Sequence, residues 1–303
     1  MTQQRIPLVK RKVDISAIIV TYNNGQEIRE CLSSLTTALK PYMAEILIID
    51  NASTDATLTI VKLFQQKYSF ISFIKNDSNY FFTKAINQGL SIAKGRFVLI
   101  LNPDTIVPET IFTTLLPEFD TDPKLAIVSP QFHSYDHTIQ TSCRRFPRHR
   151  DIVFHLLGLN HLFRKNRFFN GWKMGDFDHK TRRCVDQPQG ALLLVRATAI
   201  HDIGFLDEQF PMFFSDVDWC HRLILKDWKI VFTPSVAIVH HKGRSVYKHR
   251  ISMIWSSHRS FSLYLKKYYR KGLWPVVNAF TDIFLFVMAA IRSAYVYVLK
   301  LKR

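Results

Sequence analysis

Four cysteines in 303 residues, at positions 31, 143, 184 and 220, leave no C-x-x-C pair. That spacing argues against a redox dithiol or a cysteine-based zinc site, and reduced thiols of a cytosolic protein are the expectation. The N-terminus, MTQQRIPLVKRKVD, is polar and basic with no apolar core behind it, so a secretory leader is not expected there. Acids are scarce: 24 Asp and Glu face 41 Lys and Arg, a net charge of +17. Such an excess asks for a polyanionic partner, whether nucleic acid, an anionic membrane surface or phosphorylated small molecules. Zinc-finger spacing and the aromatic-Gly-aromatic RNA signature are both missing, which turns the reading away from nucleic acid. A glycine- and lysine-rich phosphate loop is missing as well. The first turn is TYNNG (21–25), which counts against a nucleotidyltransferase. There are no internal repeats or low-complexity stretches, and 47% apolar residues supply a core for one large α/β domain plus an appendage.

What is present alternates in type. ISAIIV (15–20) is a short β-branched run suited to a buried parallel strand. Ile28, Leu32, Leu35 and Leu39 then repeat at helical spacing and stop before Pro41. EILII (45–49) reads as the second strand, closed by DNASTD (50–55), where Ser53 or Asp55 caps the helix Ala56–Tyr68. A strand near Ile71–Ile74, a helix near Thr83–Ala93 and a strand at Phe97–Leu101 continue the rhythm. This order predicts a doubly wound, mostly parallel sheet whose ligands bind at the carboxyl ends of the strands. Residues 131–188 are less regular and carry basic clusters at Arg144, Arg145, Arg148 and Arg150 and at 164–167, which fit a solvated loop or an acceptor-side lid. GALLLV (190–195) is a further buried strand.

From Lys242 to Arg303 thirteen Lys or Arg face one acid, Asp282, a net +12. Trp274 to Leu299 is mostly apolar, yet the uncharged run between Asp282 and Arg292 is only nine residues. That is short for a hydrocarbon core of about 30 Å. Asn278, Asp282, Arg292, Ser293 and Lys300 gather on one third of a helical wheel. The expectation is a helix lying in a membrane interface, with Lys266, Lys267, Arg270, Lys271, Lys300, Lys302 and Arg303 meeting anionic lipid. The competing reading packs it on its own domain or on a dimer partner.

Three groups of residues carry chemistry. Asp50 and Asp104 each stand just past a buried strand. One such acid is commonly a helix cap, but Pro103 fixes the chain before Asp104, and a rigid carboxylate there can hold a hard cation. Asp216 and Asp218, in FFSDVDWC (213–220), sit two apart in an aromatic setting. They cannot share a helical face, so one can serve as a base poised by burial while the other caps or positions. HHKGRS (240–245) looks like a phosphate or metal-phosphate grip, although a basic surface turn has the same composition.

Taken together, these blocks resemble the inverting family 2 glycosyltransferases of GT-A fold, in the non-processive, rhamnosyltransferase-like branch. The match runs over residues 14–245: AIIVTYNN (17–24), IIDNASTD (48–55), LILNPDT (99–105), GFLDEQFPMFFSDVDWCHRL (204–223) and HHKGRS. Here Asn-Pro-Asp stands for the Asp-x-Asp metal motif. The resemblance implies a GT-A domain over 1–245, with a nucleotide-binding half at about 14–130 and an acceptor half at about 131–245. Residues 246–303 would be a basic helical extension that associates with membrane. It implies that Thr21, Tyr22, Asn23, Asp50 and Asn51 hold the base and ribose, that Lys84 reaches donor phosphate, and that Asp104 binds Mg²⁺ or Mn²⁺ with Asn102 nearby and His240 assisting. Asp216 would be the base and Asp218 a positioning residue. Two departures stand out: Phe81 occupies a usual glycine place in Asn79-Tyr80-Phe81-Phe82, and Ser215 replaces a usual Glu before Asp216. Gln-x-x-Arg-Trp, the mark of processive synthases, is absent, which implies addition of one or a few sugars. The implied partners are a nucleotide sugar, a lipid-linked or envelope glycan and the inner face of the cytoplasmic membrane, with an oligomer open. The alternative is a non-catalytic binding module of the same fold.

Overall fold

A computed structural model describes residues 13–241 and 250–301. The first half alternates strand and helix: β1 (Val13–Thr21), α1 (Glu27–Ala38), β2 (Ala44–Asp50), α2 (Thr57–Lys67), β3 (Ile71–Lys75), α3 (Phe81–Ile92) and β4 (Gly95–Leu101). A two-residue β5 (Thr105–Ile106), α4 (Ile111–Leu115) and a 3₁₀ turn lead to β6 (Leu125–His133). The irregular middle holds β7 (Ile139–Gln140), β8 (Cys143–Arg144), α5 (His149–Leu156), α6 (Leu159–Leu162), β9 (Arg183–Cys184) and β10 (Gln187–Pro188). The chain then returns through β11 (Leu192–Arg196), α7 (Ala197–Ile203), α8 (Ser215–Ile224) and β12 (Lys229–His240). Two long helices follow, α9 (Arg250–Tyr268) and α10 (Trp274–Leu301).

One sheet runs through both halves in the order β3-β2-β1-β4-β11-β6-β12-β5. β1 pairs in parallel with β2 and β4, and β6 with β12, while β11 lies antiparallel between β4 and β6. The reading of 190–195 as a strand holds, and its antiparallel insertion is what joins the two halves. β1 is apolar on both faces because both are covered. Ile15, Ala17 and Ile19 pack toward α1, and Ile18 packs toward α3 with Ala85, Ile86 and Leu90. Gly89 permits that approach, since a Cβ there would stand 2.5 Å from Ile18 Cγ2.

The C-terminal helices are fastened to the second half of the domain. Phe261, Tyr264, Leu265 and Leu285 share a buried cluster with Ile152, Phe210, Phe214 and Val217. The N-terminal part of the polar strip of α10 faces inward, with Asn278 buried beside Thr281 and Asp282 meeting Lys266 at 2.5 Å, whereas Arg292 is exposed. The apolar side faces out, with Phe280, Ile283 and Phe286 64–70% exposed. By length and composition alone, Trp274–Leu299 is also sufficient to cross a membrane.

Phe81 has φ +61°, in the left-handed region where glycine is at ease. Phe81 therefore holds a backbone shape that favours glycine, at the cost of local strain. Its carbonyl accepts from Asn51 Nδ2 at 3.0 Å, so the shape serves the neighbouring turn. Phe81→Gly is expected to raise stability by about 0.5–1 kcal/mol, the relieved strain being partly offset by unfolded-chain entropy. Urea denaturation checks it.

Candidate active site

Three strand ends converge. β1 and β2 finish in register at Thr21 and Asp50, and Ile19 of β1 lies opposite Leu101 of β4. Asp50 is fully buried and engaged within its turn. Thr21 Oγ1 donates to Asp50 Oδ1 at 2.8 Å, and Ser53 N to its Oδ2 at 2.9 Å. Ser53 Oγ accepts from Asn23 N, and Asn23 Oδ1 accepts from Thr54 N at 2.8 Å, which locks the first turn onto the second. Asn23 and Ala52 both have positive φ. Asn51 is held by Asn76, which is itself paired with Gln88. Tyr22, 37% exposed, is the aromatic side chain that this pair of turns leaves open to a ligand. Asp55 Oδ1 accepts from Thr57 N at 3.0 Å in the turn before α2, but the N-cap position is Ala56 and has no side-chain cap, so neither Ser53 nor Asp55 fills the cap expected from the sequence. Lys84 is exposed on α3, its ammonium 3.9 Å above the Tyr80 ring.

Past β4, Asn102 N donates to Ala191 O at 2.9 Å, which ties this strand end to the start of β11. Asp104 and His240 meet there, with His240 Nε2 3.6 Å from Asp104 Oδ1. Gln140 Nε2 donates to His240 O, so its Oε1 faces His240 Nδ1 at 3.1 Å. This pairing assigns the proton to Nδ1 and turns the lone pair of Nε2 toward the carboxylate. Asp104 Oδ1 is buried without a hydrogen bond. Burial, with Glu27 adding repulsion, pushes the Asp104 carboxyl up to about 6. Two electron-pair donors facing each other, one left orphaned, fit a divalent cation: the carboxylate suits Mn²⁺ or Mg²⁺, and the imidazole favours the softer Mn²⁺ of the two. Among the described residues no third His, Cys, Asp or Glu joins them, so donor oxygens or water would complete the shell. Lys242, Gly243, Arg244 and Ser245, the rest of the basic turn, lie outside the described residues.

Asp216 opens α8. Its Oδ2 accepts from Gln187 Nε2 at 2.9 Å and from Gly190 N at 3.2 Å, and its Oδ1 from Val217 N at 2.9 Å. Gly190 precedes Ala191, the residue bonded to Asn102, so Asp216 and the Asp104 loop share one strand junction. A Cβ at Gly190 would stand 3.1 Å from Asp216 Oδ2, so the glycine admits the carboxylate. Burial raises the Asp216 carboxyl above its ordinary value, while these hydrogen bonds pull the other way. Gln187 and Gly190 lie 29 and 26 residues from Asp216. Only the P-Q-G turn before a predicted strand hinted at them.

Asp218 points away from this junction, fully buried. It accepts from Arg222 Nε at 2.9 Å, from Tyr268 Oη at 2.7 Å and from Lys267 Nζ at 2.5 Å. It fastens α8 to α9. Asp218→Asn leaves two cations under-compensated and is expected to cost about 3 kcal/mol, the low end for a broken buried pair because Lys267 keeps Asp207. Chemical denaturation measures this, with nucleotide binding expected to persist below the transition.

Comparison with known proteins bears on the family and the fold. The model of glycosyl transferase family 2 matches residues 16–180, more than half of the chain. An N-acetylglucosaminyl-diphospho-decaprenol L-rhamnosyltransferase of Mycobacterium tuberculosis is 24% identical over 262 residues, 83% of each chain. The mannosyltransferase PcManGT of Pyrobaculum calidifontis, solved with GDP-Man and Mn²⁺, superposes with a TM-score of 0.58 at 16% identity, covering 99% of this chain and 84% of that one. TarS of S. aureus with UDP-GlcNAc superposes at 0.53 and 16% identity, covering 84% of this chain and 66% of that one. The sheet order, the strand-end acids and the family match together make the chain a member of glycosyl transferase family 2, with the GT-A fold.

Proposed function

We propose that the protein moves one sugar from a nucleoside-diphosphate donor, dTDP-rhamnose or a UDP-hexose, to a hydroxyl of a lipid-linked or cell-envelope glycan, inverting the anomeric centre. The observation that carries this reading is the buried Asp216 carboxylate, held by Gln187 and Gly190 at the junction that also bears Asp104 and His240. The rhamnosyltransferase relative supports the donor and the lipid-linked acceptor, and the Mn²⁺ in the mannosyltransferase structure supports a metal.

In this account Thr21, Tyr22, Asn23, Asp50 and Asn51 form the base and ribose wall. Asp50 acts through the shape of its turn and Tyr22 through its open ring. Lys84 leaves Tyr80 for donor phosphate. Asp104 and His240, beside Asn102, would hold Mg²⁺ or Mn²⁺, which supplies positive charge for the leaving diphosphate. Asp216 accepts the proton of the acceptor hydroxyl as that oxygen attacks the anomeric carbon from the face opposite the nucleotide. Asp218 sets the position of α8, and so of Asp216, from behind. Residues 1–245 do the chemistry, and 246–303 keep the enzyme on the inner face of the cytoplasmic membrane, where such an acceptor resides. NMR of the product linkage after transfer from an α-linked or β-linked donor tests the scheme. The opposite anomer is expected, and a retained one refutes single displacement.

A further inference from the structure

Eight of the described non-glycine residues have a positive φ, and four of them border the candidate site: Asn23, Ala52, Phe81 and Phe214. Backbones held in this region against their preference gather at ligand clamps and active sites. Two of the four are bulky, which makes them outliers. Phe214 is 7% exposed and its ring packs on Phe261 and Tyr264, so burial offsets its strain. Phe81 is 47% exposed. In the free protein neither its backbone nor its ring is in a favourable state.

The surroundings fix that state. Phe81 N donates to Asn79 Oδ1 at 2.9 Å, and Phe81 O accepts from Asn51 Nδ2 at 3.0 Å. Asn51 is 2% exposed, and its own N donates to Thr21 O at 2.9 Å. One buried asparagine thus ties together the backbones that carry two exposed aromatic side chains, Tyr22 and Phe81. The strand order β3-β2-β1-β4 arranges the residues past the strand ends. Asp104 follows β4, Tyr22 follows β1 and Asn51 follows β2, while Phe81 comes to Asn51 from the segment after β3. Neighbouring strands are about 4.8 Å apart, so Phe81 joins this row on the side remote from Asp104 and His240. A nucleoside diphosphate with its phosphates at that pair extends its base, the flat end, toward Asn51 and Phe81.

We propose that the Phe81 ring stacks on the nucleobase of the donor, beside Tyr22, and that the left-handed backbone at Phe81 is held to present it. This rests on the nucleotide-sugar reading above. A planar heterocycle covers an exposed ring and gives the strained conformation its use. Every base has a π-face, so the contact sets donor affinity and leaves the choice of base to hydrogen-bonding groups.

The test is calorimetric titration of the full chain with UDP, dTDP and inorganic pyrophosphate, with Mn²⁺ or Mg²⁺ present. Phe81→Gly and Phe81→Asn accept a positive φ and delete the ring, whereas Phe81→Tyr keeps it. The two ring-less variants are expected to bind the nucleotide that the wild type takes about tenfold more weakly, the effect of losing one stacked base. Their pyrophosphate binding should be unchanged, and Phe81→Tyr should match the wild type. Phe81→Gly relieves strain, so its weaker binding cannot be lost fold. In turnover its donor KM should rise with kcat unchanged, as for a contact made equally in ground and transition states. Ring-less variants that bind like the wild type overturn the contact, as does a Phe81→Tyr as weak as they are, or pyrophosphate binding that falls in step. Each of these leaves the transfer reading standing. A wild type that binds neither nucleotide overturns the donor reading, and this contact with it.

Discussion

Asp216→Asn is expected to lower sugar transfer about 10³-fold, within the range a positioned general base supplies. The amide is nearly isosteric but cannot accept the hydroxyl proton. Its NH₂ must also face a donor, either Gln187 Nε2 and Gly190 N on one side or Val217 N on the other. Some loss of stability is therefore built in, and donor affinity, expected to stay within about threefold, separates lost chemistry from lost fold. The wild-type pH profile should carry the same signature. The base works ionised and burial raises its carboxyl, so activity climbs with pH along a limb above the ordinary aspartate value of about 4. The hydrogen bonds from Val217 N, Gly190 N and Gln187 Nε2 limit that rise.

Asp104→Ala is expected to abolish metal-stimulated release of the nucleoside diphosphate, a loss of about 10²–10³-fold, comparable to removing one preorganised electrostatic group. Unfolding is not the cause in this case. The Asp104 carboxyl is desolvated and its Oδ1 makes no hydrogen bond, so deleting it removes a burial penalty. The variant should be at least as stable as the wild type while Mn²⁺ titration shows weakened binding, because His240 alone remains. A variant that is both stable and fully metal-responsive would move the cation site elsewhere.

Much of this was legible in the residue order. Strands with continuous apolar runs, such as 15–20 and 45–49, declared themselves because both their faces are buried, and the acids just beyond them fell at the carboxyl edge as parallel topology requires. The antiparallel entry of β11 was not legible, since an apolar pentamer carries no direction. The partners of Asp216 were hidden for a similar reason: a hydrogen bond across 29 residues leaves no spacing pattern. Asp216 and Asp218 could be told apart by helical phase, but the Lys267 and Tyr268 contacts that occupy Asp218 come from a helix 50 residues away. The wheel of α10 put Asn278 and Asp282 on one face, and both turn toward the fold, while Arg292 is exposed. The inward orientation of that face depends on His149 and Lys266, which only the tertiary structure brings to it. Phe81 is the instructive departure: a bulky side chain stands on a left-handed backbone that favours glycine.

The most direct measurement is nucleoside-diphosphate release from a panel of sugar nucleotides, with Mn²⁺, Mg²⁺ or chelator, comparing the wild type with Asp104→Ala. The account predicts slow, metal-dependent release from one donor that chelator and the substitution both abolish. Release that is indifferent to chelator and to Asp104→Ala, or no binding of any donor, would contradict it.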